Sequence, residues 1–371
     1  MKNISDTTSI LKELIKIKSY SGQEEKLAKW IINFAKQNNI SYYQVADNVV
    51  LIIKNNAKKC LIFDGHMDTV KEGNIASWDY PPFGEGSGAE IDNKIYGLGA
   101  SDMKGSLACF LTLAKNLNKQ KLSIDLFFAF VVQEEITGQG SKDFVKNFTE
   151  QHLSNYDQIG VIIGESTDNK ILEIGHKGNV FIKIITHGES GHSSKPPEIK
   201  THAIHQMIKV ISQMEYFKKN VLSKFNDPIL GKSTICLTNI KTPDIAINQI
   251  PNQCTSTWDI RTTPKIHFKT KDLVSDLMGS LAQIEYAQIP APSSLTPKGS
   301  YLVKLFQQVL PNIKISCSSA SNDSCFFTQA GIETVVFGPG SKKIIHKENE
   351  FIEIKNLKKA LAIYKKIIEQ F

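Results

Sequence analysis

Imidazole and carboxylate side chains follow one short apolar run after another in this chain. Cys60 to Phe63 leads into Asp64-Gly65-His66-Met67-Asp68, and Lys94 to Leu98 into Gly99-Ala100-Ser101-Asp102. Ile124 to Val132 ends in Gln133-Glu134-Glu135, Ile159 to Ile163 in Gly164-Glu165, and Thr334 to Phe337 runs through Gly338-Pro339-Gly340 towards His346. Such a set, with no thiolate, suits Zn²⁺, or alternatively Co²⁺ or Mn²⁺. Carboxylates crowded together raise one another's pKa unless cations compensate them. Two cations about 3.5–4 Å apart can clamp a water and polarise a carbonyl, while a spare carboxylate takes the proton.

Each piece has a plainer reading alone. His-x-Asp is common, Glu-Glu after a strand is ordinarily a solvated helix start, Asp102 fits a helix cap, and His346 fits a surface histidine. The joint pattern at five strand ends is what favours a shared site, because ligands of open α/β sheets bind at the carboxyl edge.

The elements that must position these groups alternate. Ser21-Gly22-Gln23-Glu24 spells a capping box before a helix marked by Leu27, Trp30, Ile31 and Phe34. Val49 to Ile53, Cys60 to Phe63, Ile124 to Val132 and Ile159 to Ile163 read as buried strands; Lys104 to Asn118 and Lys142 to Phe148 read as helices. Continuous apolar strands between helices predict a sheet covered on both faces. From about Asn179 the texture changes to strands at Val180–Thr186, Thr234–Ile240 and Thr255–Ile260, with helices at His202–Tyr216 and Lys271–Leu281. That is an α+β unit with one exposed sheet face. After Pro290-Ala291-Pro292, read as a linker, Tyr301–Leu310, Ile313–Cys317, Thr334–Phe337 and a helix from Asn356 resume the first pattern. The expectation is an α/β domain over residues 1–178 and 293–371, interrupted by an inserted domain over 179–292.

Composition removes other classes. The chain has 371 residues, 41% hydrophobic and 22% charged, enough for two cores. Its longest apolar run is far shorter than the roughly 18 to 20 residues that span a bilayer, and its start lacks a signal-peptide pattern, so a cytoplasmic protein without a membrane partner is expected. Six scattered cysteines without a C-x-x-C pair suggest neither a disulfide framework nor a zinc ribbon. The net charge of +7 is spread over lysines with few aromatics among them, which predicts solvated helix faces and no nucleic-acid partner. An anionic small substrate is equally compatible with that charge.

At these residues the chain resembles the co-catalytic zinc deacylase and aminoacyl-peptidase family of acetylornithine deacetylase, succinyl-diaminopimelate desuccinylase and carboxypeptidase G. The resemblance is carried by Gly65-His66-Met67-Asp68-Thr69-Val70, Trp78-Asp79-Tyr80-Pro81-Pro82-Phe83, Tyr96 to Gly105, Glu134-Glu135, Gly164-Glu165, Gly191-His192-Ser193-Ser194 and Ile345 to Glu350, in the family's order and over nearly the whole chain. It implies a mixed-sheet zinc-exopeptidase-like α/β catalytic domain and an α+β dimerisation lid, hence a homodimer. His66 and Glu165 would hold one metal, Glu135 and His346 the other, and Asp102 would bridge them across a cis peptide to Met103. Asp68 would orient His66, Glu134 would be the general base, and His192 would stabilise the oxyanion, often across the dimer. Asn248 and Arg261 would bind the substrate carboxylate, unless Arg261 pairs with a structural acid.

The implied activity is hydrolysis of a small N-acyl amino acid. Gly97-Leu98-Gly99, Ile163-Gly164-Glu165, His176-Lys177-Gly178, Gly188 to Ser194 and Gly338 to Ser341 lean towards acetylornithine; Asn322-Asp323 and His346-Lys347 lean towards succinyl-diaminopimelate. A general N-acyl-amino-acid deacylase or dipeptidase is a further reading. A non-catalytic metal-binding protein on the same fold is disfavoured, because no member of the set is missing.

Overall fold

The computed structural model describes residues 2–195 and 199–371. It divides into two compact units: Met1–Gly175 with Leu295–Cys317 and Asn322–Phe371, and His176–Ser294 with Ser318–Ser321.

The centre of the first unit is a mixed sheet. Four adjacent strands are parallel, in the order Asp125–Val131, Lys59–His66, Gln158–Ile163, Glu333–Val336. Antiparallel neighbours flank them, Asn48–Ile53 with Ser41–Val45 on one side and Ile171–His176 on the other. All seven residues of Asp125–Val131 are buried, as a strand covered on both faces requires. Side chains alternate between the faces. Phe128 stacks on Phe63 at 5.2 Å, beside Phe110 and Tyr364 from the helices Gly105–Leu117 and Ile354–Gln370. Phe127 points the other way, onto Phe148 of the Gln139–Gln151 helix. The Tyr364 hydroxyl, fully buried, donates to the Phe337 carbonyl at 2.7 Å.

Glycine allows the Gly105–Leu117 helix to lie directly on the strand ends that carry the chemistry. A Cβ at Gly65 would sit 2.5 Å from the Met103 methyl, and one at Gly164 2.5 Å from that methyl and 2.7 Å from Phe110.

One expected element has a different home. Lys94–Tyr96 is not in the central sheet; it pairs with Phe351–Glu353 and Glu90–Ile91 in a small sheet of its own. Asp102 is therefore delivered from a satellite sheet, while the other strand ends belong to the four parallel strands. The capping box is also not realised. The helix Glu25–Gln37 has no side-chain cap. The Ser21 hydroxyl instead donates to Asp68 at 2.7 Å, and Glu24 accepts the Gln133 N–H at 3.0 Å.

The second unit is a four-stranded antiparallel sheet, ordered Thr234–Lys241, Gln253–Thr262, Gly178–His187, Gln283–Tyr286; the last strand was not apparent in the sequence. Helices Ala203–Tyr216 and Thr270–Met278 cover one face, burying Val180, Ile182, Ile184, Trp258 and Ile260 with Met207, Val210 and Val274. Ala291 is not a loose linker, since its N–H and the Asn179 carbonyl are 3.2 Å apart in a bridge.

Candidate metal centre

His66 ends its strand almost fully buried. Its Nδ1 lies 2.9 Å from the Asp68 carbonyl oxygen, which as a pure acceptor fixes the proton on Nδ1 and leaves Nε2 with a lone pair. Nε2 is 3.3 Å from Glu165 Oε1 and 3.4 Å from Asp102 Oδ1. His346, half exposed and at φ +58°, brings its Nε2 to 3.1 Å from Glu135 Oε1 and 3.2 Å from Asp102 Oδ2. Asp102 thus presents one oxygen to His66, which also meets Glu165, and the other to His346, which also meets Glu135. The peptide following it is cis.

The Asp68 carboxylate adds a contact beyond the orienting role expected of the residue. It lies 3.6 Å from His66 Nδ1, beyond hydrogen-bond reach, and accepts the backbone N–H groups of Glu134 and Glu135, each at 3.1 Å. Gln133, at φ +59°, makes the turn that aims those N–H groups at it. So the main chain of Asp68 orients the imidazole while its side chain holds the Glu134-Glu135 turn. The Glu134 carboxylate comes within 4.8 Å of ligand atoms of both His66 and Glu165.

Electrostatics mark this pocket as short of positive charge. Burial, then the charges of Asp323, Glu165 and Glu135, push Glu134 well above the usual carboxylate range. Burial and Asp102 raise Glu165. Burial works against the cationic form of His66, yet Asp102 and Glu165 still hold its pKa high, and Asp102 and Glu135 push His346 up to about 10. Behind the site, the Ser141 hydroxyl is 2.8 Å from Asp323 and 3.2 Å from Asp64; burial raises Asp323 to about 7 and Asp64 also upward. That buried acid pair went unremarked in the sequence, where the only sign was a carboxylate closing the apolar run Cys60–Phe63.

A divalent cation fits this donor set. His66 Nε2 and Asp102 Oδ1 are buried without a hydrogen-bond partner, an unfavourable state that a cation between them relieves. Imidazole and carboxylate are the donors that Zn²⁺ and its neighbours accept.

The remaining predicted residues lie in the second unit. His192 pairs across a short ladder with Gln249, and Asn248 sits beside it, its side-chain amide 3.1 Å from Nε2. The Ser194 backbone N–H donates to His192 Nδ1 at 3.2 Å, so a neutral ring carries its proton on Nε2, and the Asn248 amide meets that proton with its oxygen after a half turn. Arg261 is already occupied: its Nε and Nη2 fork onto Asp259 at 2.9 and 3.0 Å, over the Phe181 ring.

Residues 62–370 match the peptidase family M20/M25/M40. The succinyl-diaminopimelate desuccinylase of Blochmanniella floridana is 30% identical over 330 residues, 84% of this chain and 82% of that one. The acetylornithine deacetylase of Pectobacterium carotovorum subsp. carotovorum is 31% identical over 327 residues, 84% and 80% of the two chains. Among solved structures, an M20 family metallo-carboxypeptidase from Sulfolobus solfataricus superposes with a TM-score of 0.80 at 19% identity, covering 98% of both chains.

Proposed function

The chain belongs to peptidase family M20/M25/M40 and is a metal-dependent amide hydrolase, and from that premise we propose that it removes the acyl group from a small N-acyl amino acid, using two divalent cations, with Zn²⁺ first and Co²⁺ or Mn²⁺ as alternatives. One observation carries the two-ion reading: the two oxygens of Asp102 face separate His–Glu pairs, His66 with Glu165 and His346 with Glu135. Bound there, the ions supply Lewis acidity that polarises an amide carbonyl and lowers the pKa of water.

The chain's own groups do the rest. Glu134, kept basic enough by burial and neighbouring acids, takes the proton of the attacking water and returns it to the departing amine nitrogen. Asp68 holds Glu134 and Glu135 at their main chain. His192 is assigned to the oxyanion, to which its Nε2 proton would turn from the Asn248 oxygen. Arg261 is assigned to the substrate carboxylate, which must share the guanidinium with Asp259.

Acetylornithine stands first as substrate, on the sequence words around Glu165, His192 and Gly338. Succinyl-diaminopimelate is the second reading, supported by Asn322-Asp323 and by the name of a relative at 30% identity. The second unit is proposed to pair two copies: Ile204, Ile208 and Tyr216 are exposed four or eight residues apart on one helix, and Ile240 is exposed on the edge strand. None of the described helices is long and apolar enough to cross a membrane. Steady-state kinetics on both substrates side by side, with Zn²⁺ or Co²⁺ supplied, test the assignment. A higher kcat/KM for acetylornithine is expected; a reversed ratio makes the chain a desuccinylase, and no turnover of either removes both readings.

A further inference from the structure

Glu350 stands four residues after His346, and its side chain reaches back to the loop that carries Asp102. It is 1% exposed. Its Oε2 accepts the Gly99 N–H at 3.0 Å, and its Oε1 accepts those of Ser101 at 2.7 Å and Asp102 at 3.0 Å. Three N–H groups from one loop converge on two oxygens, a pattern a carboxylate can satisfy and a neutral amide cannot, having one acceptor oxygen. The loop is tied at its other points too. The Ser101 hydroxyl donates to the Phe351 carbonyl at 2.7 Å, and the buried Lys104 ammonium donates to the Leu14 and Ile17 carbonyls at 3.0 and 2.8 Å.

We propose that Glu350 is a positioning residue: by holding the Asp102 amide it fixes the rotation at which the Asp102 oxygens face two different histidines, and it links the His346 segment to that same loop. The inference rests on the bridging role proposed for Asp102. It separates from a purely structural role because the backbone does not need the carboxylate. The Gly97 N–H reaches the Glu350 carbonyl at 2.9 Å, and Phe351–Glu353 pairs with Lys94–Tyr96 through main-chain atoms alone. Replacing one acceptor oxygen by a donor leaves that ladder in place and frees the turn above it.

The test is Glu350→Gln, which keeps the shape. Co²⁺ titrations followed by visible absorption and equilibrium dialysis should show affinity weakened by about 10- to 100-fold and an altered ligand-field band, as for other partners that orient metal ligands. The kcat should fall while KM stays near wild type. Affinity within twofold of wild type with an unchanged spectrum would overturn the inference. Should the variant not fold, hydrogen exchange on the Co²⁺-loaded wild type decides. Amides of residues 99–102 protected like the central strands support the anchor, and exchange at loop rates overturns it. Wild-type protein that fails to take up two ions overturns both this inference and the two-ion reading, whereas two ions bound equally by wild type and variant sink the Glu350 role alone.

Discussion

Asp102, buried, and Glu134, partly buried, are both acids beside His66, but their neighbours divide the labour between them. Burial disfavours the Asp102 anion, yet His346 and His66 outweigh it and hold the group below the usual carboxylate range. Glu134 has other acids for neighbours and is pushed upward. The first is suited to stay charged and bind, the second to exchange a proton. Glu134→Gln should therefore lower kcat by about 10²- to 10⁴-fold while metal analysis still finds two ions per chain; near-full turnover by that variant would contradict the assignment. The residue types were legible in the sequence, because His, Asp and Glu announce their chemistry wherever they stand. Not all of their contacts were. Asp68 was expected to orient His66, and its carbonyl oxygen lies 2.9 Å from Nδ1; the grip of its carboxylate on the Glu134-Glu135 turn had no sign in the sequence. Arg261 was expected at the substrate carboxylate unless it paired with a structural acid, and in the structure Asp259 is its partner.

Among the elements, helix and strand positions came through the hydrophobic pattern with small shifts at the ends, as local periodicity allows. The exceptions lie where a side chain had a distant alternative. Ser21 and Glu24, expected to cap a helix, meet Asp68 and the Gln133 N–H, and the helix has no side-chain cap. The contact of the Gly105–Leu117 helix with the strand ends yields a direct test. Gly164→Ala puts a methyl against Met103 and Phe110 and should cost about 1–3 kcal/mol in chemical denaturation. An unchanged midpoint would mean that the helix can retreat freely. In the second unit, burial holds the His267 ring at about 4, with the Thr262 hydroxyl 2.7 Å from Nδ1. An unfolded histidine protonates near 6.5, so below that pH the unfolded chain takes up a proton that the folded one refuses. Stability should fall as pH drops from about 6.5 towards 4 and lose no more from this group below that. His267→Gln should flatten that part of the denaturation profile; parallel wild-type and variant profiles would show that His267 does not contribute.

For the whole molecule, the net charge of +7 and the exposed apolar residues of the second unit bear on association. If two copies pair through the Ala203–Tyr216 helix, Ile208→Lys should give a monomer in sedimentation velocity with its thermal unfolding intact. A wild-type chain that sediments as a monomer at micromolar concentration would remove the dimer proposal. The basic charge does not by itself call for nucleic acid, because the lysines are dispersed along the chain.

By itself, the sequence carried the residue types that offer cation donors, the segments that bury a face, and a change of texture near Asn179. These are local properties, written in residue type and in periods of two or 3.6. Only the tertiary structure decided that Lys59–His66 lies between Asp125–Val131 and Gln158–Ile163, with Glu333–Val336 beyond, so that residues nearly three hundred positions apart share Asp102. Strand order depends on how distant apolar faces bury one another. A buried carboxylate finds its donors only after that packing has occurred, and so the hold of the Asp68 carboxylate on the Glu134-Glu135 turn, the Glu350 contacts and the Asp64–Asp323 pair lay beyond any local reading.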